Sequence, residues 1–324
     1  MIVEDDLERD ARFSDLTELL HPGDLLVLNE TRVIPARLIG RRVPTGGQAE
    51  LLLLHPAASE RYRPDARRWI ALAKPARRLR EGARIALGDH SEALVCRELD
   101  EGAREVEFRI AEPFEAFLER VGRLPLPPYV RADSPQAQQG YQTVFARVPG
   151  SVAAPTASLH FTQELLTRIR TRGVEIVQVS LNVGLGTFRP IAARYIADHP
   201  MHAETYVIGE PAAVAVNRAR REQRRIVAAG TTVVRALEGN LREHGSVTAG
   251  EWSTDLFITP GFEFRVVDAM ITNFHLPQSS LLLLVSAFVG RERILRAYAT
   301  AVRRRYRFFS FGDAMLLARA ALAT

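Results

Sequence analysis

The chain reads Leu25-Leu26-Val27-Leu28 with no polar interruption before Asn29, the signature of a strand buried on both faces over 24–29. Asn29-Glu30-Thr31-Arg32 then turns it into a second strand, predicted over 33–41. From there to about residue 108 the pattern is one of short alternating segments at 49–54, 69–73, 84–87, 93–99 and 105–110. Gly46-Gly47, Pro56, Gly82, Gly88-Asp89 and Glu101-Gly102 separate them, which is the punctuation of a small antiparallel barrel or sandwich. A helix is predicted over 113–122. The prolines of Leu124-Pro125-Leu126-Pro127-Pro128-Tyr129 end it with a stiff connection, and a polar segment follows at 131–140.

Beyond residue 149 the period changes from two to 3.6. Leu165, Leu166 and Ile169, with arginines between them, predict an amphipathic helix over 162–172 closed by Gly173, and 174–179 alternates as a strand that delivers Asn182. Strands at 224–229 and 269–273 alternate with helices at 231–238 and 281–288, and an arginine-rich helix is predicted over 291–305. This is α/β texture, predicting a mixed, mostly parallel α/β domain with an inserted small antiparallel β-barrel domain. The expected division is 1–35 and 129–324 for the α/β domain and 36–128 for the barrel.

Composition changes this picture in three places. At 324 residues, 47% hydrophobic and 25% charged, the chain has the make-up of a globular protein long enough for two cores. No run reaches the roughly 20 apolar residues that span a bilayer, and the start, Met1-Ile2-Val3-Glu4-Asp5-Asp6, is acidic where a signal peptide is basic, so a cytoplasmic protein is expected. The lone Cys96 excludes an internal disulfide and reads as a small strand residue. The formal charge is +5, and Lys74 is the only lysine, so the positive charge is almost entirely guanidinium, which forks onto phosphate and stacks on bases. That fits a nucleic-acid partner, although a genome rich in arginine codons gives the same excess. The basic loop residues Lys74, Arg77, Arg78 and Arg80 are candidate phosphate contacts.

The candidate chemistry centres on residues 149–188, where a small-residue loop ending in His160-Phe161 and a loop containing Gly184-x-Gly186-Thr187-Phe188 flank the helix and strand. Glycines there permit close backbone approach, while the absence of a third glycine argues against a nicotinamide fold. His160, His202 and His275 are candidate general bases. Glu204 stands two residues from His202, on the same side of an extended segment. Thr231 and Thr232 open a helix after a strand, a place for an anion. Arg235 stands one turn on, available to a carboxylate, and Phe188 and Phe274 supply aromatic rings. The histidines lack metal-ligand spacing, and no metal is expected.

These residues carry a resemblance. Pro22-Gly23-Asp24-Leu25-Leu26-Val27, Asn29-Glu30-Thr31-Arg32-Val33-Ile34-Pro35-Ala36-Arg37, Leu124-Pro125-Leu126-Pro127-Pro128-Tyr129 and Tyr141-Gln142-Thr143-Val144 begin it. It continues through Val152-Ala153-Ala154-Pro155-Thr156-Ala157, Gly184-x-Gly186-Thr187-Phe188, Met201-His202-x-Glu204 and Gly230-Thr231-Thr232-x-x-Arg235-x-Leu237-Glu238. Thr272-Asn273-Phe274-His275-Leu276-Pro277 and Tyr306-Arg307-Phe308-Phe309-Ser310-x-Gly312-Asp313-Ala314-Met315 complete it. Together they resemble the S-adenosylmethionine:tRNA ribosyltransferase-isomerase family of queuosine biosynthesis. The family pattern has a further N-terminal segment, glycine where this chain has Ser158, and histidine where it has Asn182.

The resemblance implies an enzyme that moves and isomerises the ribosyl part of S-adenosylmethionine, a consumed substrate, onto 7-aminomethyl-7-deazaguanine at the tRNA wobble position. Epoxyqueuosine-tRNA, adenine and methionine are the products. It implies no cofactor, a monomer, the tRNA anticodon arm as partner, and substrate contacts from Thr156, Asn182, Gly184, Gly186, Thr187, Phe188, Thr231, Thr232, Arg235, Asn273 and Phe274. Two other readings stand beside it: a tRNA-binding homologue impaired in turnover, and an S-adenosylmethionine methyltransferase. The latter is disfavoured because no glycine-rich first strand-to-helix turn opens the chain.

Overall fold

The apolar run after Asp24 forms strand β3 (Leu25–Asn29), in which every residue is buried. The computed structural model describes residues 1–4, 7–60, 65–88, 90–126, 140–182, 195–199, 201 and 203–319. It divides into two compact units, one of Met1–Arg32, Gly140–Val148 and Ala154–Thr324, the other of Val33–Gln139 and Pro149–Ala153. Strands β4 (Thr31–Val33) and β11 (Val148–Ser151) lie where the chain passes from one unit's residues to the other's.

The larger unit is built on a nine-stranded sheet around β3. Its members before β3 are β1 (Ile2–Glu4) and β2 (Leu7–Arg9), with the short helix α1 (Leu16–Leu19) following them. After β3 come β12 (Glu175–Asn182), β13 (Glu204–Ile208), β14 (Ile226–Ala229), β15 (Gly250–Thr254), β16 (Ala269–Asn273) and β17 (Ala314–Ala318). The order across the sheet is β15-β13-β12-β3-β14-β16-β17-β1-β2. Its centre, β12-β3-β14-β16, is parallel, and antiparallel pairs of β13 with β12 and β15 and of β17 with β16 extend it on both sides. The sheet is therefore mixed, and its parallel centre contains β3, β14 and β16, in which every residue is buried, as cover on both faces requires.

On one face α3 (Gln163–Thr171) packs Leu165, Leu166 and Ile169 with Leu26, Leu28, Val227 and Ile271. Its N-cap Thr162 accepts from the Leu165 amide. The remaining helices are α4 (Glu210–Arg221), α5 (Thr231–His244), α6 (Ser280–Val289) and α7 (Arg291–Arg303).

The smaller unit contains a closed antiparallel barrel of β5 (Arg37–Val43), β6 (Gln48–Pro56), β7 (Arg68–Lys74), β8 (Arg84–Ala86), β9 (Glu92–Glu98) and β10 (Ala103–Arg109) in the order β10-β7-β6-β5-β8-β9. Alternate residues such as Leu51, Leu53, Ala71, Val95 and Val106 fill it. Helix α2 (Phe114–Val121) places Phe114 5.1 Å from Trp69, nearly parallel to it, and 5.2 Å from Phe108. The strand expected at 33–41 is two pieces, because Pro35 lacks the N–H a continuous ladder needs. Cys96 lies on β9, half-buried, with burial raising its thiol pKa, an inert strand position.

Candidate functional site

The two edges of the parallel strands are finished differently. At the N-terminal edge the charges are paired. Asp24 meets Arg225 at 2.6 Å, Glu175 holds Arg218 and Arg224 at 2.7 and 3.0 Å, and Asp268 accepts from the Ile226 amide. At the C-terminal edge three strands end in asparagine, Asn29, Asn182 and Asn273, and β14 is followed by Gly230, whose φ of 103° suits glycine. Asn29 spends its Oδ1 on the Thr31 and Leu181 amides and the Thr31 hydroxyl, and Asn273 takes the Thr156 hydroxyl at 2.9 Å. Both Nδ2 groups are buried without a protein partner. Buried polar groups are nearly always satisfied, so two spare donors at the edge where open α/β sheets bind ligands mark a site.

A cavity of about 360 Å³ in the larger unit adjoins this edge, lined in part by Ile271 and by Ala314, the register partner of Asn273. The chemistry on its wall comes from Arg12, Phe13, His160, Tyr306, Arg307 and Asp313. The His160 ring lies 4.9 Å from Phe13, and its Nε2 is buried with no partner. Burial, opposed by Asp313 and assisted by Arg307, lowers the His160 pKa, so its imidazole is neutral at neutral pH. Arg307 pairs with Asp313 at 2.9 Å, and those bonds outweigh burial to hold the Asp313 carboxyl below its ordinary range. Tyr306, its pKa raised to about 12 by burial and by its bond to Asp10, stays a neutral hydroxyl.

The other predicted residues are placed as follows. His275 lies just past Asn273, with Nε2 2.8 Å from the Thr272 hydroxyl and its amide donating to Tyr298. Burial lowers its pKa to about 4. Glu204 and Arg235 are each other's partners, buried to 4% and 2% exposure at 2.5 Å. Arg235 also donates from Nε to Leu256 O and from Nη2 to Thr254 O. The guanidinium expected to await a carboxylate is thus committed within the fold. Phe274, 1% exposed, sits among Tyr298, Tyr306 and Phe308 at 5.0–5.5 Å and offers no face to a purine. Thr231 and Thr232 are buried in the first turn of α5, whose N-cap is Gly230 with no side-chain cap. Asn182 donates to Thr205 Oγ1 across β13. Ser158 is fully buried and its hydroxyl has no partner. Gly184, Gly186, Thr187, Phe188 and His202 lie outside the described residues.

Lys74, Arg77, Arg78 and Arg80 are exposed on the barrel unit, from the end of β7 through and just past a turn over Ala76–Arg78. Buried Arg104 holds that turn by donating to the Ala76 and Leu79 carbonyls. No group of three or more potential metal ligands occurs among the described residues.

The geometry describes a substrate site without naming the substrate; comparison with known proteins supplies the relation. A family model described as queuosine biosynthesis protein matches residues 1–317. The chain belongs to the queuosine biosynthesis protein family. An S-adenosylmethionine:tRNA ribosyltransferase-isomerase of Symbiobacterium thermophilum is 52% identical over 306 residues, covering 94% of this chain and 87% of that relative. One of Desulforamulus reducens is 48% identical over 320 residues, covering 98% and 92%. The crystal structure of an S-adenosylmethionine tRNA ribosyltransferase from Thermotoga maritima is 35% identical, covers 94% of this chain and 86% of its own, and superposes with a TM-score of 0.48.

Within this queuosine biosynthesis protein, sequence reasoning did not single out Arg12, Phe13, Tyr306, Arg307 and Asp313 as site residues. The last three stand in a quoted motif, but their place beside His160 arises from contacts across half the chain.

Proposed function

We propose that the protein is an S-adenosylmethionine:tRNA ribosyltransferase-isomerase acting in queuosine biosynthesis. It consumes S-adenosylmethionine and transfers and isomerises its ribosyl part onto the aminomethyl group of 7-aminomethyl-7-deazaguanine at the tRNA wobble position. Epoxyqueuosine-tRNA, adenine and methionine leave. About half-identity to enzymes of that name along nearly the whole chain supports this reading. The structural observation that carries it is the unpartnered, neutral imidazole of His160 beside a cavity of substrate size.

The reaction begins by removing a proton from the carbon beside a sulfonium, which needs a base that is unprotonated at neutral pH and shielded from water. His160 fits that role on this reading. His275 is the poorer candidate, since Thr272 already occupies its Nε2, and His202 remains a third. Asn273, with Thr156 fixing its amide, offers Nδ2 to a substrate acceptor. The positive end of α5 at Thr231 and Thr232 suits the methionine carboxylate. Glu204 and Arg235 then act as positioning residues, tying β13 to α5 behind that turn. Gly184, Gly186, Thr187, Phe188 and Asn182 complete the substrate contacts, and Lys74, Arg77, Arg78 and Arg80 hold phosphates of the anticodon arm. We further assign a monomer working in the cytoplasm without a cofactor; among the described residues no helix is long and apolar enough to cross a membrane.

Mixing the protein with S-adenosylmethionine and tRNA carrying the precursor base tests this. Adenine and methionine are expected in equal amounts, and His160→Gln should lower turnover about 10²- to 10⁴-fold while tRNA affinity is retained. A homocysteine-containing product would identify a methyltransferase instead. The second reading, a tRNA-binding homologue with impaired turnover, draws on Asn182 standing where the family pattern has histidine, and predicts tight tRNA binding with neither product.

A further inference from the structure

Between α7 and β17 the chain makes a closed loop, Arg307 to Asp313. Asp313 N donates to Arg307 O at 2.7 Å, the Arg307 amide returns a bond to Asp313 Oδ2 at 2.7 Å, and Gly312 N donates to Phe309 O at 3.0 Å. A Cβ at Gly312 would press into the Arg307 and Phe308 carbonyl oxygens, so only glycine closes the loop this way. Phe308 is turned into the aromatic cluster around Phe274. Its neighbours Phe309 and Phe311 are partly exposed, at 37% and 39%, with the Phe311 ring 5.8 Å from that of buried Tyr141, and Leu276 is exposed on the turn whose Phe274 carbonyl receives the Phe309 amide. Phe309 does this at φ 72°, a left-handed conformation that a bulky side chain rarely adopts, so local strain is tolerated at the residue that presents its ring.

The same segment is strongly cationic. Arg303, Arg304, Arg305 and Arg307 are all exposed, the Arg307 side chain to 74%. Two partly exposed aromatic rings flanked by guanidinium groups on a hydrogen-bonded loop are the makings of a platform for unpaired nucleotides: bases stack on the rings and the backbone follows the cations. A protein partner would be matched by an apolar surface with few charges at its centre, whereas here four arginines lie along the same segment; Arg304 pairs with exposed Asp10 at 2.8 Å and Arg307 with Asp313 at 2.9 Å, and Arg303 and Arg305 add two further exposed cations. Tyr306, Arg307 and Asp313 also line the His160 cavity, so a strand of RNA stacked here runs past the cavity wall.

We propose that Phe309 and Phe311, with Arg303, Arg304, Arg305 and Arg307, form a stacking platform for unpaired RNA nucleotides next to the His160 cavity. The inference rests on the tRNA-modifying function proposed above and adds a base-stacking surface on the larger unit to the phosphate contacts assigned to the barrel.

Affinity for an anticodon stem-loop RNA is measured for Phe309→Leu and Phe311→Leu, which keep apolar bulk, and for Phe309→Trp and Phe311→Trp, which keep a π face. Each leucine is expected to weaken binding about 5- to 100-fold at unchanged salt slope, with tryptophan restoring it. Arg305→Gln should reduce the salt slope by about one. An abasic loop nucleotide should weaken the wild type and leave the leucine variants little changed. Equal losses for leucine and tryptophan, or an abasic effect that persists undiminished in the leucine variants, would overturn the platform. Adenine release by the wild-type protein, measured alongside, reports separately on the proposed reaction: stacking without release sinks the enzyme reading and leaves the platform standing, and release without stacking does the reverse.

Discussion

His275 and His160 are both histidines beside aromatic residues, and the sequence treats them alike; the fold does not. Thr272 takes the His275 ring nitrogen, and burial lowers its pKa to about 4, so the folded protein holds it neutral. Because the folded value lies below the ordinary 6.5, stability is complete above that value and is lost as pH falls from 6.5 toward 4. The loss is on the order of 2 kcal/mol by pH 5. Urea melts at pH 7 and pH 5 should show it, and His275→Asn should flatten the difference. An unchanged acid dependence in the variant would remove His275 as the cause. The resemblance implies histidine where this chain has Asn182, and the Asn182 side chain, which donates to Thr205 Oγ1, is exposed, so a larger ring has room there. Asn182→His is expected to preserve or raise turnover, measured as adenine release; a large loss with an intact fold contradicts this. What stayed illegible at this scale was partnership. Thr156 and Asn273 lie 117 positions apart, and no local pattern announces their bond.

At the scale of elements, periodicity located β3, the six barrel strands, α2, α3 and β16 within a few residues, since each is marked locally by an apolar run or alternation between Gly, Pro or polar breaks. Among the segments it missed are β1 and β17, which pair with each other from opposite ends of the chain, and β2, a three-residue edge strand on β1. Helix α5 runs on to His244, past the expected 238, because its later residues bury Asn240 and Leu241 as well. That helix is fixed to β13 by Arg235 and Glu204, of which the sequence sets Arg235 to a substrate carboxylate and Glu204 beside His202. Arg235→Met leaves the Glu204 carboxylate buried without its cation and is expected to cost about 3–5 kcal/mol. Replacing both partners with apolar residues should cost clearly less. Denaturant midpoints decide it, and similar losses for single and double variants would indicate that packing, not charge, is at stake.

For the molecule as a whole, the two units bring different resources. The barrel unit carries Lys74, Arg77, Arg78 and Arg80 on a turn held by Arg104, and the sheet unit carries the asparagine-lined edge, the cavity and the arginine-bordered aromatic loop. If the four barrel cations each meet a phosphate, they alone should account for an affinity loss of about 50- to 150-fold between 50 and 200 mM salt, and glutamine at all four positions should remove that share of the slope while leaving the share carried by the arginines of the aromatic loop. A flat salt response would contradict the electrostatic contact. The texture of both units was visible in the sequence because composition and period change along the chain, and one domain was expected from its first and last parts; the pairing of β1 with β17 and the strand order were not legible.

The central claim is that this sheet edge and cavity carry out a ribosyl transfer that consumes S-adenosylmethionine. Release of free adenine, followed by chromatography after mixing protein, S-adenosylmethionine and tRNA bearing 7-aminomethyl-7-deazaguanine, tests it most directly. Adenine should appear in step with methionine, only when the precursor base is present, and should be lost in His160→Gln. No adenine from a folded protein that binds the tRNA would contradict the claim.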